Sequence, residues 1–160
     1  MFDEIDRQIL ETLQAEGRIS NADLARRVGM APSAVFERVR RLEGKGVIRG
    51  YGAHLDARAL ERSLLAFVLV RSDEQTGSVS TGQSLAREPE VLEVHHVAGQ
   101  DSYLVKVRVK DPESLGRLLR ERFGAIPGVR STQSTIALET IKESWTLPVE
   151  PRERTERVRG

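Results

Sequence analysis

The stretch Ala31-Pro32-Ser33-Ala34-Val35-Phe36-Glu37-Arg38-Val39-Arg40-Arg41-Leu42-Glu43 decides how the chain is read. Pro32 suits the first position of a helix, where a backbone N–H has no partner to lose. At about 100° per residue, Val35, Val39 and Leu42 fall on one face, with Phe36 at its edge. Ser33, Ala34, Glu37 and Arg41 fall on the opposite face, flanked by Arg38 and Arg40. One side is therefore core, and the other carries small residues first and guanidinium groups further along. A helix that enters a DNA major groove needs that layout, because small side chains permit close approach and long basic ones reach bases and phosphates. The plain alternative is a solvated charged face.

The preceding residues favour the groove. Asp3 is a helix N-cap, and Ile5, Ile9, Leu10 and Leu13 make one apolar stripe running to about Ala15. Ser20-Asn21-Ala22-Asp23 has the capping-box pattern and opens a short helix with Leu24, Ala25 and Val28 inside. Gly29 stops that helix where a helix-turn-helix needs its turn. Residues 18–50 carry eight basic and three acidic side chains, a net of +5, whereas 1–17 carry a net of −4 and 51–150 a net of −2. A basic block ahead of a slightly acidic body predicts two modules with different partners. Arg18, Arg26 and Arg27 are candidates for phosphate contacts, and Ser33, Ala34, Glu37, Arg38 and Arg41 for the groove. After the helix, Gly46-Val47-Ile48-Arg49-Gly50-Tyr51-Gly52-Ala53-His54-Leu55 reads as an extended hinge strand.

Downstream the period changes. Leu64–Val70 is apolar on both alternating faces, which predicts a strand covered on both sides. Residues 75–88 read as a helix, 91–98 as a strand, Tyr103–Val109 as a half-exposed strand, 115–126 as a helix and 129–141 as the last strand. The order βαββαβ is a ferredoxin-like α+β sandwich. The expected organisation is a three-helix DNA-binding domain over 1–50, a linker over 51–63, a sensing and dimerising domain over 64–149, and a mobile charged tail over 150–160. Both helices of the sandwich pack on one side of the sheet, so the other side needs a cover. A second copy of the same sheet supplies it, which predicts a homodimer.

The 160 residues at 17.9 kDa allow one ordinary domain or two small ones. With 39% apolar residues and a mean hydropathy of −0.38, the chain has the composition of a globular protein. No apolar run approaches a membrane span, the acidic start lacks the basic region of a signal peptide, and there is no cysteine. A cytoplasmic protein without disulfides or thiolate metal sites is expected. His95 and His96 are adjacent on a strand, point to opposite faces and cannot grip one metal together. No phosphate loop or nucleophile elbow appears, and neither an enzyme nor a cofactor is expected. Trp145 is expected to dock on a sheet edge or a partner subunit.

These residues carry a resemblance. Asp6-Arg7-Gln8-Ile9-Leu10, Gly17-Arg18-Ile19-Ser20-Asn21, Leu24-Ala25-Arg26-Arg27-Val28-Gly29 and above all Glu37-Arg38-Val39-Arg40-Arg41-Leu42-Glu43 with Gly46-Val47-Ile48-Arg49-Gly50-Tyr51 resemble the Lrp/AsnC family of feast/famine transcription regulators. The family usually has a serine where this chain has Ala31, so the N-cap of the third helix is missing here. The resemblance implies double-stranded DNA as partner, an amino acid as effector, and dimers that assemble into octamers. It places the effector at the loop Gly99-Gln100-Asp101-Ser102 and on the last strand, at Gly99, Asp101, Tyr103, Thr132 and Ser134. The loop's glycine frees backbone N–H groups for a carboxylate, and Asp101 suits an ammonium group. An enzyme resembling the siroheme decarboxylases shares the two-module architecture and is the competing expectation, with His95 or His96 as its working residue.

Overall fold

The computed structural model describes residues 2–75, 77–99 and 102–149. The described residues of 1–54 and 143–160 form one compact unit, and Leu55–Lys142 a second. The charged tail expected over 150–160 lies outside the described residues, as does Asp101.

The first unit holds α1 (Glu4–Ala15), α2 (Asn21–Val28) and α3 (Pro32–Gly44). Each start follows from local chemistry. Asp3 accepts the Asp6 N–H at 2.8 Å, and Ser20 accepts the Asp23 N–H at 3.1 Å. Ala31 offers α3 no side-chain cap, and Pro32 opens the helix. The core contains Ile9, Leu10, Leu24, Ala25, Val28, Val35 and Leu42, with Ile5, Leu13, Val39 and Ile48 packed around it. The strand expected after Gly46 is not formed. The N–H groups of Val47 and Ile48 turn back onto the Leu42 carbonyl, closing the end of α3, and the chain runs on irregularly. Residues 143–149, expected in the sensing domain, belong to this helical unit instead. The Gln14 amide both donates to the Leu147 carbonyl at 2.9 Å and accepts its N–H at 2.7 Å, and Val149 packs on the helical core. Trp145 lies in this segment and is 62% exposed.

The second unit is a four-stranded antiparallel sheet, order β2-β3-β1-β4, built from β1 (Leu64–Ser72), β2 (Val91–His96), β3 (Tyr103–Val109) and β4 (Val129–Ile136). The expected ferredoxin-like order is observed. β4 stops at Ile136, five residues early, because the Ala137 N–H makes the last bond to β1, at Leu65, and Leu138 stands fully exposed. The helix expected over 75–88 contracts to α4 (Ser80–Leu85). The second begins at α5 (Pro112–Arg117), capped by Asp111, and continues through a π-helical turn at Leu118–Arg122 and a 3-10 turn at Phe123–Ala125.

The helix-covered face of the sheet is the core: Ala66, Val68, Val70, Tyr103, Val105, Val107 and Val109, with Leu85, Leu115, Leu118 and Phe123 from the helices. Gly82 lets α4 approach closely, since a Cβ there would stand 2.5 Å from the buried Tyr103 ring. The other face carries Phe67, Leu69 and Leu104 in adjacent rows with Lys106 and Glu93, which pair at 3.1 Å. Phe67 remains 38% exposed.

A candidate DNA interface and a candidate effector site

The turn between α2 and α3 is set by Gly29, whose φ of +67° a larger side chain resists. Its N–H reaches back to α2, and the Met30 N–H donates to the Ala25 carbonyl at 3.0 Å. The Asn21 amide then donates to the Pro32 carbonyl at 2.9 Å, tying the start of α2 to the start of α3.

On α3 the predicted core face is confirmed: Val35 and Leu42 are buried and Val39 is partly buried. Ser33 and Glu37 are exposed on the other side, with Ala34 half-buried. The arginines depart from the expected layout. Arg38 turns toward α1 and donates to Asp3 Oδ2 at 2.6 Å and Asp6 Oδ1 at 2.8 Å. Arg41 donates through Nη2 to both oxygens of Asp6 at 2.8 Å. Asp6 is 3% exposed, so these bonds satisfy a buried carboxylate between two helices. The Asp6 N–H and the Arg38 guanidinium hold the Asp3 carboxyl below its ordinary range, and the Asp3 and Asp6 carboxylates push Arg38 higher still. The basic side chain on the outer face is instead Arg40, whose guanidinium lies over the Phe36 ring at 5.9 Å from its centroid. Phe36 itself is 50% exposed. Sequence periodicity put Phe36 at the edge of the core face and Arg40 at the flank of the groove face. The signal that could have relocated Arg38 and Arg41 was the acidic α1, whose Asp3 and Asp6 share one turn of helix.

Arg26 pairs with Asp23, and Arg27 with Glu16 at 2.9 Å. Both keep more than half of the side chain in solvent, at 79% and 52%. Arg18 is exposed in the connection between α1 and α2.

In the second unit, Gly99 adopts φ +140°, a conformation that favours glycine. The loop is drawn to β1 by Ser102, whose N–H donates to the Val70 carbonyl at 2.9 Å and whose Oγ accepts the Ser72 N–H at 3.2 Å. Tyr103, Val70 and Thr132 form one row across β3, β1 and β4, and Val105, Val68 and Ser134 the next. Thr132 and Ser134 thus share the Tyr103 face of the sheet, Thr132 partly buried and Ser134 exposed. Tyr103 is 2% exposed, and its hydroxyl donates to Glu74.

Glu74, which sequence reasoning passed over, is the hub of this region. Its carboxylate also accepts from Ser78 Oγ at 2.9 Å, Ser80 Oγ at 3.0 Å and the Thr81 N–H at 3.1 Å. Burial pushes Glu74 up, but the bonds from Tyr103, Thr81, Ser78 and Ser80 outweigh it and bring its pKa down to about 2. Burial and the same carboxylate push the Tyr103 phenol up to about 12. Three of its partners, Ser78, Ser80 and Thr81, follow within seven residues, but the buried one, Tyr103, comes from β3.

His95 is exposed beside Glu93 at 3.2 Å, and the His96 ring lies 5.2 Å from that of Tyr103. Among the described residues no group of three or more His, Asp or Glu could hold a metal ion, and no helix is long and apolar enough to cross a membrane.

Residues 2–49 match a winged helix-turn-helix DNA-binding family and residues 65–147 the Lrp/AsnC ligand binding domain. The chain is 40% identical to the leucine-responsive regulatory proteins of Klebsiella pneumoniae and Escherichia coli K12 over 153 residues, which is 94% of this chain and 93% of each relative. Among solved structures it is similar to a transcriptional regulator from Neisseria meningitidis in complex with L-methionine, with TM-score 0.86 and 29% identity over 93% of this chain and 97% of that one. It is also similar to a feast or famine regulatory protein from M. tuberculosis complexed with L-methionine, with TM-score 0.84 and 37% identity over 92% and 99% of the two chains. A helix-turn-helix unit and a βαββαβ unit in that order, matched along nearly the whole length, place this chain in the Lrp/AsnC family of transcription regulators.

Proposed function

We propose that the chain is a cytoplasmic, non-enzymatic regulator that binds operator DNA as a homodimer and changes its binding when an amino acid occupies the second unit. The observation that carries this reading is the division of α3: Val35 and Leu42 are buried while Ser33, Glu37 and Arg40 face solvent. Small residues at the start of the helix and a guanidinium one to two turns later suit major-groove entry. Arg26 and Arg27 flank that helix and Arg18 precedes α2, where they serve as phosphate contacts. Arg41, still 47% exposed in its ion pair, can touch a phosphate while holding Asp6, whereas Arg38 at 23% acts mainly as a strut.

The apolar row of Phe67, Leu69 and Leu104 on the open sheet face suits a second copy of the sheet. Two α3 helices related by a twofold axis can reach successive major grooves about 34 Å apart. Further assembly of dimers into octamers follows the family resemblance. The amino acid is placed at the 99–102 loop, with its carboxylate on the backbone at Gly99 and its ammonium group on Asp101. Tyr103 begins β3 directly after that loop, with Thr132 in its row of the sheet and Ser134 in the next. Two similar structures hold L-methionine, which supports a small zwitterion as effector. The ligand shifts DNA binding only if it binds two arrangements of the assembly with different affinity.

Mobility shifts against genomic fragments, including the protein's own promoter region, should reveal a few retarded fragments. Isothermal titration of the twenty amino acids should give heat with at least one, and that one should alter the shift. Retardation of every fragment alike would remove the operator reading, and absence of heat with all twenty would remove the effector reading.

A further inference from the structure

We propose that Phe36 and Arg40 are the specificity-determining pair of α3, with Phe36 against the C5-methyl group of a thymine and Arg40 on the O6 and N7 of a guanine within two base pairs of it. The inference rests on the reading that α3 enters the major groove. Of the three arginines in the middle of α3, Arg38 and Arg41 are committed to Asp3 and Asp6. Arg40 is exposed and has no carboxylate partner among the described residues, so its donors are available to a base.

A guanidinium presents two parallel donors that match the two acceptors guanine shows in the major groove. The Phe36 ring, 5.9 Å beneath, holds that guanidinium in place before DNA arrives, which reduces the ordering cost of the contact. Phe36 meanwhile leaves half of an aromatic ring in water at the edge of the core face, on the flank it shares with Arg40. An isolated exposed apolar side chain is ordinary. Here the surface it would meet offers one apolar group, the thymine methyl, and Phe is among the side chains that contact it. Residues four apart on a helix are about 6 Å apart along its axis, roughly the rise of two base pairs. The pair therefore reads a short step and not two distant positions.

The test uses the full chain and the duplex it selects from a random pool. Each thymine of that duplex is replaced in turn by deoxyuridine, which lacks only the methyl group, and each guanine by 7-deazaguanine. In each half-site one thymine should weaken wild-type binding about tenfold when replaced. A guanine within two base pairs of it should behave likewise. Phe36→Ala should weaken binding to the thymine duplex by a similar factor and be indifferent to the uridine replacement. Arg40→Ala should be indifferent to the deaza replacement. Circular dichroism should match wild type for both variants, since both side chains are exposed. If uridine is tolerated everywhere, or if Phe36→Ala weakens thymine and uridine duplexes equally, the pair does not read these bases while the groove reading stands. If the wild type selects no sequence at all, the groove reading itself fails, and this inference with it.

Discussion

Asp6→Ala is expected to destabilise the helical unit by about 2–3 kcal/mol and to reduce the preference for operator over random DNA by about tenfold. Asp6 is the buried acceptor of three charge-assisted hydrogen bonds from Arg38 and Arg41, and it is the ionic tie between α1 and α3. The cost stays below that of a fully buried pair because both guanidinium groups keep some contact with water. Freed from Asp6, the two arginines can reach phosphates, so binding to random DNA should become more salt-dependent, the slope steepening by up to about two counterions. Asp6→Asn keeps the shape and should lose less stability while showing the same shift in slope. Chemical denaturation and binding at two salt concentrations measure both effects. An unchanged midpoint together with an unchanged slope would show that the contact is idle.

The second large effect is expected at Glu74. Replacing it with alanine leaves the buried Tyr103 hydroxyl and the Thr81 N–H without their acceptor and releases Ser78 and Ser80. A loss of about 2–3 kcal/mol in the ligand-binding unit follows. Because Tyr103 begins β3 directly after the 99–102 loop, the response to an amino acid should go with it. The pH dependence carries a sign that can be checked. The folded carboxyl titrates at about 2 and the unfolded one at 4.5, so the unfolded chain binds more protons between these values. Stability from Glu74 is therefore complete above pH 4.5 and is lost as the pH falls toward 2. Glu74→Gln should flatten that part of the stability curve. A variant curve parallel to wild type through this window would show that the carboxylate is not held in its ionised form.

The helical unit was legible because its signals are local. Asp3, Ser20, Gly29 and Pro32 each act within a turn of themselves, and the stripe Val35, Val39, Leu42 needs only the helical period. The same period misassigned Arg38 and Arg41, since their direction is decided by Asp3 and Asp6 more than thirty residues earlier in the chain. The extended stretch after Gly46 had strand composition but no neighbouring strand to pair with, and a lone strand leaves its backbone groups unbonded. In the sheet, an unbroken apolar run located β1 and alternation located β3 well. The length of β4 depended on where its antiparallel neighbour β1 begins, which no pattern within β4 records. Glu74 stayed hidden for a related reason: a glutamate among serines reads as loop until Tyr103 arrives from the neighbouring strand β3.

The account stands on the outer face of α3 lying in the major groove, and dimethyl sulfate protection of guanine N7 on the selected operator reads that contact directly. Protected guanines in two half-sites about one helical turn apart, with one of them reopened in each half by Arg40→Ala, is the predicted pattern. Tight, sequence-selective binding with every N7 still reactive would contradict it.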